Sequence, residues 1–154
     1  MWWRRVRYIL LLAALCAIAT CPAAKRACTA RTRAQEAEDL LSYLAEKVTL
    51  RFIADGKLPP GAGPTPRPSC CDQGGTCSPD PATWSAPGWV ALGFAIDNDY
   101  RYAYEYAPDP SGTSATLRAV GDLDCNGTSS LYEVRLTITA GQVFRTWTRT
   151  DPYE

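Results

Sequence analysis

The chain is 154 residues long, enough for one domain around one hydrophobic core and too short for a multidomain enzyme. Apolar residues make up 46% and charged residues 21%, which excludes a chain disordered throughout, and the absence of histidine excludes imidazole triads, HExxH zinc sites and histidine pH switches. Net charge is zero but segregated: residues 1–33 hold seven basic side chains and no acid, whereas the remainder holds nine basic against sixteen acidic, a body of net −7 that disfavours nucleic-acid binding.

The amino-terminal segment, residues 1–28, opens with Arg4, Arg5 and Arg7 and continues into an unbroken apolar run from Ile9 to Ala19. Its bulky members are Ile9, Leu10, Leu11, Leu12, Leu15 and Ile18, and Pro22 follows as a bend point. From Tyr8 to Ala24 there are 17 residues without charge. That length falls between a secretory h-region of about 7–15 residues and a spanning helix of about 20. Three readings follow: a cleaved signal peptide, a lipoprotein-type acylation box at Ile18-Ala19-Thr20-Cys21, and an uncleaved membrane anchor. Each takes the body out of the cytoplasm, as an inner-membrane protein with a periplasmic or extracellular head or as an exported domain, with the arginines left inside.

Residues 29–55 read as one amphipathic helix. Ala34, Ala37, Leu41, Leu44, Val48 and Phe52 recur at steps of three and four, and Leu40, Tyr43, Leu50 and Ile53 widen the apolar face. Gly56 with Pro59-Pro60 is the expected stop. Residues 56–88 form a Pro/Gly/Cys-rich loop that needs staples to be ordered. Residues 89–154 form the sheet region: Val90–Ile96 is a short buried element, and the period then becomes two. Tyr100, Tyr102, Tyr104 and Tyr106 alternate with Arg101, Ala103 and Glu105 in a first strand; 114–120, 132–139 and 143–149 supply three more, the last pair joined by an Ala140-Gly141 turn. Short links between successive strands make a four-stranded antiparallel meander, and the 29–55 helix is the expected cover for its apolar face. The fold class is therefore α+β.

Four cysteines lie in the body. Residues 70, 71, 77 and 125 suit an oxidising compartment and two disulfides. A vicinal bridge is strained, which leaves Cys70–Cys77 with Cys71–Cys125, or Cys71–Cys77 with Cys70–Cys125. A four-thiolate zinc site is the alternative, although paired CxxC spacing is missing. Residues 122–133 match the calcium-loop pattern D-x-[DN]-x-[DN]-G-x5-E, with Asp122, Asp124, Asn126, the Thr128 carbonyl, Ser130 and Glu133 as ligands and Gly127 at the sharp turn. The same residues also read as a turn whose Asp and Asn side chains bond their own backbone. Calcium is the one cofactor these residues suggest. The tyrosine ladder reads as core, with a carbohydrate groove as the alternative. Acidic residues are present, but no spacing brings two together in a cleft, so no catalytic residues are assigned and no enzymatic activity is expected.

The order of parts, an apolar helix running into an amphipathic one, then a loop, then a small antiparallel sheet, resembles type IV pilins and the pseudopilins of type II secretion. GKLPPGAGPTP (Gly56–Pro66), Cys70-Cys71 and Cys77, PDPATW (Pro79–Trp84), WVALGF (Trp89–Phe94), YRYAYEY (Tyr100–Tyr106) and GDLDCNGTSS (Gly121–Ser130) resemble prepilin-like ectodomains of deltaproteobacterial type. The resemblance implies a pilin-like domain over 29–154, attached to the membrane through its amino-terminal helix. The partners it implies are sister pilin or pseudopilin subunits, in a type IV pilus or pseudopilus that the chain enters or caps. The departure is at the amino terminus, where Met1-Trp2-Trp3-Arg4-Arg5 replaces the family's Gly-terminated leader and the Glu that follows it. A cleaved, soluble periplasmic or extracellular domain, stabilised by calcium, is the alternative function.

Overall fold

The computed structural model describes residues 22–153, with side chains from Cys28 onward. The apolar residues Ile9, Leu10, Leu11, Leu12, Leu15 and Ile18 lie outside the described residues; Pro22 is the first within them. Helix α1 (Pro22–Asp55, 34 residues) begins seven residues earlier than the apolar spacing predicts. The helix stops at Gly56, whose φ of 68° and N–H bond to the Phe52 carbonyl at 2.9 Å make a left-handed cap.

Five strands follow, one more than predicted: β1 (Ala62–Thr65), β2 (Ala103–Pro108), β3 (Ser114–Gly121), β4 (Ser130–Thr139) and β5 (Gln142–Thr150). They lie in the order β1-β2-β3-β4-β5, every pair antiparallel. The extra strand falls inside the stretch expected to be loop. Its sequence, AGPT, shows no alternation, and its partner Tyr104-Tyr106 lies about 40 residues on, so only tertiary pairing reveals it. Tyr100, expected in the first long strand, instead exchanges two backbone bonds with Cys77 in an isolated bridge.

One face of the sheet is covered twice. Ala34, Ala37, Leu41, Leu44, Ala45 and Val48 are buried where α1 crosses β3 and β4, against Ala115, Leu117, Ala119, Tyr132, Val134 and Leu136. Alanines on both surfaces let helix and sheet approach closely. The cover of β1 and β2 is a second layer that the sequence pattern did not assign. It consists of the short helix α2 (Pro87–Leu92) and an aromatic cluster of Trp84, Trp89, Phe94, Tyr100 and Tyr104, with ring centroids of Trp84 and Trp89 5.4 Å apart and of Trp89 and Phe94 5.3 Å apart. Trp89 Nε1 donates to Thr65 Oγ1 at 2.9 Å, tying α2 to β1. Gly88 sits so close to the carbonyls of Pro60 and Gly61 that no Cβ fits there.

The apolar stripe of α1 is narrower and shorter than predicted. Burial ends at Val48: Leu50 and Ile53, 55% and 68% exposed, lie in the last two turns of the helix, and Tyr43, 42% exposed, lies off the buried stripe with its ring 5.9 Å from that of Phe94. Val90, placed in a buried element by its neighbours, is also exposed, while Trp89, Leu92, Phe94 and Ile96 are buried. All four tyrosines of the ladder are buried, as core rather than groove.

Candidate functional site

The candidate residues of the body gather at one corner, where the loop before α2 meets the β3–β4 connection. Cys70 begins a 3-10 turn (Cys71–Gln73) anchored by Ser69 Oγ, which donates to Asp72 Oδ2 at 2.7 Å. This turn splits the vicinal cysteines between two directions. Cys70 is bonded to Cys77 and Cys71 to Cys125, the first of the two pairings open to the sequence. The thiols are thereby consumed as bridges and not as the four thiolates of a zinc site. Cys70 and Cys77 are buried, whereas Cys125 is exposed with a left-handed φ of 57°. The second bridge closes 54 residues and fastens the loop to the end of β3.

The six proposed calcium ligands are not brought to one point. Asp122, Asp124, Asn126 and Thr128 share an exposed turn in which Asp122 accepts N–H bonds from Asn126 at 3.1 Å and from Gly127 at 2.7 Å. Asn126 Oδ1 accepts from the Thr128 N–H at 2.7 Å. Burial opposes the charge on Asp122, but the N–H groups of Gly127, Asn126 and Cys125 outweigh it and hold its carboxyl below the usual carboxylate range. Ser130 is fully buried and donates to the Gly121 carbonyl at 2.9 Å. Glu133 stands on the uncovered face of β4, opposite Arg118, whose Nε it accepts at 2.8 Å; Glu105 completes that row from β2 at 3.3 Å. A calcium loop needs the twelfth-position carboxylate folded back over the first, and here the pleat holds it to β3. Among the described residues no three His, Cys, Asp or Glu side chains gather in a metal-holding arrangement.

Sequence reasoning missed a charged residue embedded in the body. Glu36 sits on α1 between Ala34 and Ala37 and accepts the Arg101 backbone N–H at 2.7 Å, the Arg101 guanidinium at 3.4 Å and the Tyr104 hydroxyl at 3.4 Å. Burial raises its pKa above the ordinary glutamate value despite these donors. Tyr104 is pushed well above the ordinary tyrosine value by burial and by the Glu36 charge. An acid one position from the buried stripe was the available signal. The cleft beside it, about 660 Å³ and open to solvent, is lined by Cys28, Thr32, Arg33, Glu36, Asp39 and Arg101. Acid and base alternate along it, and Arg33 is committed to the Leu123 carbonyl at 2.8 Å.

Further contacts join α1 to β5: Arg149 Nε bonds Glu38 at 2.7 Å, and Arg145 lies 3.3 Å from Thr49 Oγ1. The Tyr132 hydroxyl of β4 donates to the Pro152 carbonyl beyond β5. Among the described residues no helix is long and apolar enough to cross a membrane. No protein-family model, curated protein or solved structure matches the chain.

Proposed function

We propose that the chain is a non-catalytic, exported subunit of pilin or pseudopilin type, held at a membrane by the Ile9–Ala19 run and packing its head against sister subunits. The observation that carries this reading is the length of α1, which is helical from Pro22, the first of the described residues, to Asp55. The helix then continues without a break into the core of the head at Ala34. Between Pro22 and Ala34 no flexible linker intervenes, so any position imposed on the helix at Pro22 passes through α1 to the sheet. The apolar segments of neighbouring subunits would bundle, with dispersion and close packing as the attraction, and the acidic heads would lie outside that bundle. Two disulfides in a body of this size support an oxidising compartment for the head.

The test is fractionation of the native host followed by mass spectrometry of the mature amino terminus. Recovery in the membrane fraction with Ile9–Ala19 intact supports the proposal. A fully soluble mature chain beginning near Lys25 contradicts it and favours the released-domain alternative.

A further inference from the structure

The chain has two asparagines, and one of them opens the triplet Asn126-Gly127-Thr128. Asn-X-Ser/Thr, with X other than proline, is the sequence at which exported chains receive N-linked glycan. Three letters do not suffice; the triplet must also stand clear of the fold. This one does. Residues 124–129 are the longest unbroken run of exposed positions among the described residues, and Asn126 lies in its middle. Cys125 and Gly127, with φ of 57° and 95°, bend the chain on either side of it. A Cβ built on Gly127 would meet nothing within 4 Å, so the space over the centre of the triplet is open.

The run is also held in one shape. Asp122 accepts the Asn126 and Gly127 N–H groups, and the Cys71–Cys125 bridge fixes the base of the turn. Asn126 Oδ1 accepts the Thr128 N–H at 2.7 Å, which folds the first residue of the triplet onto the third and sets Nδ2 on the other side of Cγ. The Thr128 hydroxyl makes no hydrogen bond to another described residue, so the fold does not consume the group that a transferase reads. Asp124, two residues before Asn126, is exposed too and offers a carboxylate to a basic group on such an enzyme.

We infer that Asn126 of the folded head is a glycosylation site, with Asp124 and Thr128 as flanking recognition residues. The donor is a polyprenyl-diphosphate-linked oligosaccharide and the enzyme an oligosaccharyltransferase. A bond forms between Asn126 Nδ2 and the anomeric carbon as the bond from that carbon to the diphosphate oxygen breaks. The electron pair of the broken bond leaves with the polyprenyl diphosphate, one Nδ2 proton passes to a base of the transferase, and nothing is oxidised or reduced. The inference rests on the exported head of the reading above and not on its anchor or its sister subunits. A soluble chain carrying glycan contradicts the anchored reading and keeps this one; a membrane-bound chain with bare Asn126 does the reverse.

The experiment starts from the full chain purified from its native host. The tryptic peptide Ala119–Arg135 should carry the added mass of an oligosaccharide and release sugar fragment ions on collision. Asn126→Gln should remove that mass. Thr128→Ala should lower occupancy at least about tenfold, Thr128→Ser should retain it, and Asp124→Ala should lower it severalfold. A second measurement separates the folded head from the unfolded chain. The purified full chain, in detergent, is offered to a bacterial oligosaccharyltransferase with an undecaprenyl-diphosphate oligosaccharide, before and after reduction of its disulfides. Transfer to the oxidised, folded chain should run within about threefold of transfer to the reduced one. An unmodified Ala119–Arg135 peptide from the native host, or transfer to the reduced chain only, overturns the inference. Parent-level occupancy in Asp124→Ala or Thr128→Ala overturns the recognition roles.

Discussion

The two flanks of the sheet are held by different means. On the β1 side, two disulfides, a five-ring aromatic cluster and a glycine contact lock an irregular loop onto two strands. On the β5 side, a long regular strand carries mostly exposed side chains and is joined to α1 by one ion pair and one longer polar contact. A segment without periodicity stays ordered only where covalent and aromatic contacts offset its chain entropy, whereas a strand of good β-formers needs only its hairpin partner. The stapled flank is consequently intolerant of substitution and the regular flank tolerant of it.

The largest expected effect lies in the aromatic cluster. Trp89→Ala removes a fully buried ring and the bond to Thr65, and should cost about 3–5 kcal/mol by urea unfolding. Trp147→Ala, which removes a partly buried ring from an otherwise exposed strand, should cost about 1 kcal/mol under the same assay. Equal costs would erase the contrast between flanks. Next is Cys125→Ser, which opens the 54-residue loop and should cost about 2–4 kcal/mol. Its counterpart across the molecule, Glu38→Ala, breaks an exposed ion pair and should cost less than about 1 kcal/mol.

The turn at the stapled corner provides a smaller effect. Asp122→Ala removes the acceptor for the Asn126, Gly127 and Cys125 N–H groups and should cost about 1 kcal/mol. With Glu133 held by Arg118, that cost should be the same in millimolar calcium and in chelator; a melting temperature raised by calcium only in the parent chain would show the calcium loop instead.

The smallest effect is a pH dependence at Glu36. Its folded pKa lies above the unfolded one, so the stability it lends is fully present below the unfolded value and is lost as pH rises through the folded value. The parent chain should therefore lose stability relative to Glu36→Gln as pH is raised above the ordinary glutamate value, and the difference should level off once pH has passed the raised folded value. The opposite slope would mean that Arg101 outweighs burial.

Legibility in the sequence followed the same division. The spacing of Leu41, Leu44 and Val48, and the alternation of the tyrosines and of Tyr132-Val134-Leu136, are local signals, and they located α1 and the four long strands. The cysteines were legible as a bridged set, but their pairing depended on the 3-10 turn at Cys71. β1 and the aromatic cover were not legible, because Ala62–Thr65 owes its conformation to Tyr104 and Tyr106 far along the chain. The calcium pattern was legible as spacing, whereas the pairing of Glu133 with Arg118 was not, because it follows from the β3–β4 register. Glu36 escaped notice because its partner Arg101 is 65 residues away.

Residue-resolved hydrogen exchange, with and without reductant, tests the contrast between flanks most directly. Reduction should accelerate exchange at β1 and at the Cys77 and Tyr100 amides, which bond each other's carbonyls. Exchange at Phe144, Thr146 and Thr148, whose N–H groups face β4, should be unchanged. Equal acceleration in β5, or no acceleration at the Cys77–Tyr100 bridge, would contradict the account.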